Sequence, residues 1–440
     1  MKQIKLIVFS SAVLLIGLVS LGAKDRYEDL QIFSKVLNLV QQYYVEEVDT
    51  KKLIHGAIRG MLRELDPHTN FLPPDMLKDF ESETSGSYGG LGVEITMQKG
   101  ILTVISPIED GPAYIAGIKA GDKVLFIDGE STKGLSLSEV AQKMRGPNGK
   151  KVKFSVIREG LEKPLDVVIV RGPVKIKSVK SVDLGDGYIY MKVTSFIENT
   201  TKEFNAAYAS LQKPGKVPAG MILDLRRNPG GLLDQAVSIS DMFLEKGVIV
   251  TTKDRTQKEK EVQVAKPEGT LPQFPVVVLV DEFSASASEI VAGALKDHKR
   301  AVIMGQRTFG KGSVQSIVKL GDGSGLKLTI ARYYTPSGKS IQAYGIEPDI
   351  LVENLDPSVL DKARVASNVR REKDMQGHLM GDDEQADDKK SEIKTIDVSR
   401  QWWSTETNKA DPSAKGTLLR DDYQVLQGFN YLKTLVFLQR

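Results

Sequence analysis

Three serines alternate with alanines in FPVVVLVDEFSASASEI (Phe274–Ile290), directly after five consecutive core-type residues, Val276 to Val280. A run of that kind behind Pro275 predicts a buried β-strand, which puts the serines at its exit. Two readings of the exit compete. Ser286-x-x-Glu289 fits a capping box opening a helix over 288–296, where Ile290, Val291, Ala294 and Leu295 recur at helical spacing. Alternatively, a serine on a strand-to-helix turn is exposed enough to attack a substrate, and the N–H groups of the new helix start stabilise a developing oxyanion.

Four histidines leave a Ser-His-Asp triad open by count, but nothing local supports one of them as the base for such a serine. Only His55, His68, His298 and His378 exist, none in a metal-ligand spacing and none in a local context that suggests a triad. TFGKGSVQSIVKL (Thr308–Leu320) offers Lys311 instead. Read as an extended strand, it points Lys311, Ser313 and Gln315 to one side. Gly310 and Gly312 let other backbone come close to the lysine. An amine desolvated there would titrate toward roughly 7–8 rather than about 10.4 and could take a serine proton, with the Gln315 amide oxygen holding it. An ordinary exposed loop lysine is the competing reading. A third piece is ILDLRRNPGGLLDQA (Ile222–Ala236), where Gly230 and Gly231 sit at a strand-to-helix turn. Such a turn either exposes N–H groups, as an oxyanion hole requires, or is only a turn.

These pieces need a frame. From 187 to 350 strand-like and helix-like segments alternate, which predicts a layered α/β core. Residues 84–172 are glycine-rich with short β-type runs and one longer helical segment, LSLSEVAQKMRG. Helical spacing over 27–66 predicts a small helical region, ended by the proline-bounded LDPHTNFLPP. Beyond 351 a charged stretch over 367–395 reads as a solvated or disordered connector, and YQVLQGFNYLKTLVFL regains helical periodicity and should dock on something.

The bulk numbers exclude some classes. At 440 residues the chain predicts two or three domains. A net charge of +3, with 60 basic against 57 acidic residues and no basic patch interleaved with aromatics, argues against a nucleic-acid surface. Lys2 and Lys5 precede an apolar stretch from Leu6 to Ala23, which predicts export with the segment either cleaved after Ala23 or kept as a membrane anchor. The absence of cysteine excludes thiolate chemistry and disulfides.

DLRRNPGG, SASASEI, GQRTFGKGSVQ and YYTPSGKSIQ…GIEPDI, in this order and spacing, resemble the carboxyl-terminal processing peptidases, serine peptidases related to the tail-specific proteases. The resemblance spans roughly residues 27–352. It implies Ser286 as nucleophile, Lys311 as general base and Gln315 as the residue orienting it, with Gly230, Gly231 and the Ala287 N–H forming the oxyanion hole. LDPHTNFL matches a further family motif, taken as structural. By the same resemblance, 84–172 is similar to a PDZ domain. YGGLGVEI corresponds to its carboxylate-binding loop and following strand, so Gly90, Leu91, Gly92 and Val93 would hold a peptide's end. GPAYIAGIKAGDKVLFIDGE fits the PDZ helix–turn–strand pattern.

The expectation is therefore an α/β multidomain chain. It comprises a signal peptide or anchor (1–23), an N-terminal helical region (24–83), a PDZ domain (84–172) inserted before a layered serine-protease core (173–352), and a charged linker with a C-terminal helical region (353–440). It acts on exported proteins near their free C-termini through a Ser/Lys dyad, gated by the PDZ domain, in the periplasm or anchored facing outward. It uses no cofactor or metal, binds no nucleic acid, and is compatible with a homo-oligomer through its helical termini and with N-terminal membrane attachment. The competing reading from another class is a PDZ adaptor on an inactive protease fold.

Overall fold

The computed structural model describes residues 28–98, 100–108, 111–161, 163–212, 215–353 and 414–438. The expected signal or anchor (1–23) and most of the expected linker lie outside them. The chain divides into two compact units, one formed by residues up to 74 with 316–329, the other by 75–315 with 330–440.

In the first unit, residues 28–43 and Thr50–Arg63 are helical. Asp49 caps the second helix through its carboxylate and the Lys51 N–H. The LDPHTNFL motif forms a pinned turn. Asp66 accepts the N–H groups of His68 and Thr69 at 2.8 and 2.9 Å, the Thr69 hydroxyl at 2.6 Å and the Thr329 hydroxyl at 3.2 Å. Burial pushes the Asp66 carboxyl up, but these donors outweigh it and hold the group below its usual range. A short strand, Asn70–Leu72, follows and pairs antiparallel with Gly325–Lys327.

The second unit is built on a six-stranded sheet in which Tyr188–Val193, Gly220–Asp224, Val276–Val280, Val302–Gly305 and Ile350–Leu351 run parallel, with Val179–Gly185 antiparallel at one edge. Its inner strands are buried on both faces, as continuous apolar runs demand. Alternation along them sorts the side chains into two layers. Met221, Leu223, Val276, Val278 and Val280 meet Phe204, Ala236, Ile239, Ile290 and Leu295 of the helices Thr200–Leu211, Leu233–Asp241 and Ala287–Asp297. Ile222, Val277, Leu279 and Met304 face the other way, onto Leu419, Val425, Phe429 and Leu432. Those four belong to the C-terminal helices Ala414–Asp421 and Tyr423–Leu438, so the periodic C-terminal segment docks on the underside of the sheet.

Within the same unit, Val93–Gln98, Ile101–Pro107, Lys123–Ile127, Lys151–Ile157 and Leu165–Val170 form an antiparallel sheet. It closes over Phe154, Val124, Val152 and Ile169 with the helix Leu137–Met144. Its two chain ends meet: Ser87–Gly90 pairs antiparallel with Gly172–Lys175, Gly90 opposite Gly172. Gly90 is therefore a strand residue, and the loop proper is Leu91–Gly92.

Candidate active site

The two turns singled out in the sequence leave the carboxyl ends of neighbouring parallel strands, Gly220–Asp224 and Val276–Val280, the place where open α/β sheets present ligands. The outer two of the three alternating serines are fully buried and committed. Ser284 Oγ donates to the Leu225 carbonyl at 2.9 Å and accepts the Asp281 N–H at 3.0 Å. Ser288 Oγ donates to the Asn228 carbonyl at 2.9 Å. Ser286 alone is half-buried, and its backbone is strained, at φ +55°. A non-glycine residue there is held by its surroundings, and such strain gathers at functional turns.

What holds it comes from both sides. On one side, Asn228 is buried and fully bonded. Its Nδ2 donates to the Val193 carbonyl, its carbonyl accepts the Ala285 N–H at 3.0 Å, and its Oδ1 accepts the Gly230 N–H at 2.9 Å. The Asn-Pro-Gly-Gly turn therefore lies against the serine turn. A Cβ on Gly230 would come within 2.8 Å of Ser286 Cβ and 2.9 Å of Ala287 N, and one on Gly231 within 2.1 Å of the Phe196 carbonyl oxygen. Both glycines have positive φ, +102° and +142°. Of the three expected oxyanion donors, the Gly230 N–H is already taken by Asn228. Among the described residues, no acceptor takes the N–H of Gly231 or of Ala287, the first residue of its helix.

On the other side stands Glu289, the capping partner of Ser286, with no solvent exposure. Its Oε2 accepts the Ser286 N–H at 2.7 Å and the Lys311 N–H at 2.9 Å. Its Oε1 accepts the Gly310 N–H at 2.7 Å and the Thr308 hydroxyl at 2.5 Å. Burial pushes the Glu289 carboxyl above its usual range, against these four donors, which suit an ionised acceptor. One carboxylate thus joins the backbone of Ser286 to that of Lys311. Phe309 N–H donates to the Ser284 carbonyl at 3.0 Å, a second tie between the same two loops.

Lys311 is half-buried but does not lie on a strand, contrary to what its spacing from Ser313 and Gln315 predicts. The strand begins at Ser313. Gly310, at φ +90°, breaks the extension, and Gly312 presses on the Gln342 backbone so closely that a Cβ would fall 2.4 Å from its nitrogen. The glycines do bring backbone near, and that contact is what keeps the lysine out of the strand. Gln315 Nε2 donates to Ser313 Oγ at 2.8 Å and to the Ser313 carbonyl at 3.3 Å, which turns its nitrogen toward Ser313. A cavity of about 580 Å³ opens here, lined by Arg227, Pro229, Phe283, Ala285, Phe309 and Lys311. Its walls are mainly apolar, with the Arg227 guanidinium and the Lys311 amine among them, and it adjoins Ser286 through Ala285.

The expected peptide-binding residues are also placed. Val93–Gln98 is the edge strand of its sheet, paired on one side only. Among the described residues, the N–H groups of Leu91 and Gly92 meet no acceptor, and Gly92 takes φ +68°. The Leu91 side chain is buried in the module's core at 2% exposure, so it cannot form the open apolar floor expected of it. Val93, half-buried, remains beside the edge.

Sequence reasoning missed Asn228 and gave Glu289 only a capping role. The signals were present in outline. An Asn behind a strand and before Pro-Gly-Gly is an Asx-turn pattern, and a carboxylate on a helix start with apolar neighbours must find donors.

A model of peptidase family S41 matches residues 187–352, a PDZ-domain model matches 103–158, and a model described as the activating protease CtpB N-terminal domain matches 19–75. Over 384 residues the chain is 44% identical to a carboxy-terminal-processing protease of Bartonella bacilliformis, covering 86% of this chain and 87% of that protein. Over 321 residues it is 36% identical to the carboxy-terminal processing protease CtpA of Bacillus subtilis, covering 73% and 68%. A solved photosystem II D1 C-terminal processing protease aligns at 33% identity with a TM-score of 0.45, covering 73% of this chain and 92% of that one.

Proposed function

The chain belongs to peptidase family S41, among the carboxy-terminal processing proteases, and from that premise we propose that Ser286 and Lys311 form the catalytic dyad of an endopeptidase that cuts exported proteins near their C-termini. It is a serine peptidase carrying a PDZ domain, and peptides are its substrates. One observation carries the assignment of the nucleophile. Of three alternating serines, two are buried and bonded to main chain, while Ser286 stands half-exposed on a strained turn beside Gly231 and Ala287.

In this reading Ser286 Oγ attacks the peptide carbonyl carbon as the Lys311 amine takes its proton. The carbonyl oxygen becomes an oxyanion received by the N–H groups of Gly231 and Ala287, with Gly230 supporting the turn rather than donating. The tetrahedral intermediate collapses, Lys311 protonates the leaving amine, and an acyl ester on Ser286 remains. Water, deprotonated by the same amine, then hydrolyses the ester and restores the hydroxyl. Gln315, its nitrogen occupied at Ser313, turns its amide oxygen to the lysine. The apolar cavity beside Ala285 receives a substrate side chain. The PDZ loop at Leu91–Gly92 receives the substrate's free carboxylate, the edge strand from Val93 pairs with its backbone, and occupancy of the module relieves a restraint on the protease.

Location and assembly are read from the N-terminal region. Lys2, Lys5 and the apolar Leu6–Ala23 support export, to the periplasm or to an outward-facing anchored state. Among the described residues no helix is long and apolar enough to cross a membrane, and Leu6–Ala23 lies outside them. Ile32, Phe33, Val36, Tyr43 and Tyr44 are exposed on the first helical region, which supports a homo-oligomer through it.

The test is covalent labelling with a fluorophosphonate and peptide mapping, together with comparison of protein C-termini in cells carrying wild type or Ser286→Ala. Label on Ser286 and C-terminal fragments that vanish in the variant are expected. Unlabelled Ser286 with undiminished cleavage in the variant would return that residue to a capping role.

A further inference from the structure

The C-terminal helices lie outside the residues matched to the peptidase family, yet they reach the oxyanion turn through a buried ion cluster. Asp224 ends its strand with no solvent exposure. Two residues on, Arg226 donates from N and Nε to Asp224 Oδ1 at 2.9 and 3.0 Å and from Nη2 to Asp224 Oδ2 at 2.7 Å. The same guanidinium reaches across to the C-terminal helices. Nη2 donates to Asp422 Oδ2 at 2.7 Å, and Nη1 donates to Asp422 Oδ1 at 2.9 Å and Gln424 Oε1 at 2.8 Å. Asp422 also accepts the Val425 N–H, and Gln424 Nε2 donates to the Val352 carbonyl, so both partners are themselves fixed.

The position of Arg226 sets the course of the residues after it. Arg227 comes next at φ +57° with its N–H on Asp281, then Asn228, which sets the Gly230 N–H and accepts from Ala285 and Ser288. Only three residues, Arg227, Asn228 and Pro229, therefore separate the cluster from the glycines that lie against Ser286. The helices do not need the cluster to stay attached, because Leu419, Val425, Phe429 and Leu432 already bury against the sheet. Buried ions also add little net stability over an apolar contact, whereas their geometry is directional.

We propose that Asp422 and Gln424 are positioning residues for the reaction: through Arg226 they fix the path of the Arg227–Gly231 turn, so the C-terminal helices are a working part of the active site. The inference rests on the reading of Ser286 as nucleophile, which the wild-type arm of the test checks separately.

The experiment titrates active sites of the full chain with a fluorophosphonate and measures kcat per titrated site and KM on a short peptide, with Tm alongside. Asp422→Asn keeps the size of the side chain and removes its charge. It should lower kcat per titrated site by about tenfold with KM within about twofold, and Asp422→Glu should recover most of the loss. Leu432→Ala, which loosens the same helix without touching Arg226, should lower Tm while leaving turnover per site unchanged. Should Asp422→Asn not fold, Gln424→Met carries the test with a smaller loss in the same direction. Normal turnover per site in the cluster variants, or an equal loss in Leu432→Ala, overturns the proposal. Failure of wild type to label at Ser286 overturns the nucleophile assignment first and this inference with it.

Discussion

Two glycine-rich turns in this chain both present backbone N–H groups, and they are built to different tolerances. In the RNPGG turn a Cβ on Gly230 or Gly231 would meet main-chain atoms at 2.7 and 2.1 Å. In the YGGLG turn a Cβ on Gly92 finds its nearest neighbour at 3.4 Å, an ordinary contact, so that glycine is needed for its positive φ alone. A Cβ on Gly89 would fall 2.5 Å from the Gly146 carbonyl oxygen and one on Gly90 2.7 Å from the Tyr88 ring, but both glycines sit in the strand where the module's chain ends meet, before the loop. The sheets differ likewise. The strand leading into the first turn has a parallel neighbour on each side, and the strand leaving the second is an edge. Chemistry needs atoms fixed to fractions of an ångström, whereas recognition by strand addition needs an unpaired edge and some slack.

The largest effect that could break this contrast is loss of the proposed dyad. On that proposal Ser286→Ala and Lys311→Ala are each expected to lower kcat/KM by about 10⁴-fold or more, with the double variant little worse, as for residues that act as a unit. Single-turnover assays on one peptide would show it, and additive losses would mean that the residues act separately.

The next effect is on stability, and it compares two carboxylates. Burial pushes the Asp224 carboxyl up, but Arg226, with help from Lys192 and Tyr190, more than offsets it and holds the group below its usual range. Asp166, on the surface of the PDZ module, is also lowered, by Lys153 and Ser155. A carboxyl depressed in the folded state stabilises fully above its unfolded value of about 3.9, and that contribution drains away as pH falls through the folded value. Asp224→Asn removes one of the two carboxylates that hold Arg226, leaving Asp422 and Gln424 on it, and should cost about 2–3 kcal/mol at neutral pH, the gap from wild type closing below about pH 4. Asp166→Asn, at an exposed pair that solvent screens, should shift the denaturant midpoint far less, its small gap closing over the same acid range. Equal midpoint shifts in both variants would end the distinction between core and module.

The glycines sharpen the contrast itself. Gly230→Ala is expected to lower kcat by about 10²–10³-fold, the scale of losing an oxyanion donor, because the new methyl displaces Ala287 and Ser286. Gly92→Ala should alter KM for long substrates and leave kcat on short peptides alone. A kcat effect from Gly92→Ala would mean that the recognition turn is as rigidly coupled to chemistry as the catalytic one.

The sequence made some of this legible, for reasons that are local. Five consecutive apolar residues told of a strand buried on both faces, and a serine three before a glutamate told of a helix start at Ala287, one residue from its expected position. What it hid is non-local. Nothing near Glu289 announces that Gly310, Lys311 and Thr308 will converge on it from about twenty positions away, and nothing near Arg226 points to Asp422. Period-two spacing puts Lys311 on a strand because it does not register that Gly310 and Gly312 leave the extended path to meet residues 341–345. The C-terminal helix could be seen to need a partner, since its apolar residues recur along it, but the underside of the sheet could not be named without the fold.

The smallest expected effect concerns the looser turn and decides how it is used. Among the described residues the N–H groups of Leu91 and Gly92 meet no acceptor, which suits a carboxylate, so a substrate ending in a free carboxylate should be cleaved a few-fold faster at low concentration than its amide, about 1 kcal/mol or less, through KM. Equal rates would remove carboxylate recognition. Tethering and gating then part company when the module is taken out, and its seam shows where to cut. Gly90 and Gly172 face each other across an antiparallel pair, so residues 91–171 can be replaced by a short turn that leaves the strands Ser87–Gly90 and Gly172–Lys175 paired. If the module only raises local substrate concentration, the excised enzyme keeps its rate on short peptides and loses rate on long ones. If the module restrains the protease, its removal raises the short-peptide rate, because an equilibrium that favoured the closed form has lost its closing element. A few-fold rise in kcat on a peptide too short to span both turns is the result expected, since such a peptide has no means of opening the intact enzyme.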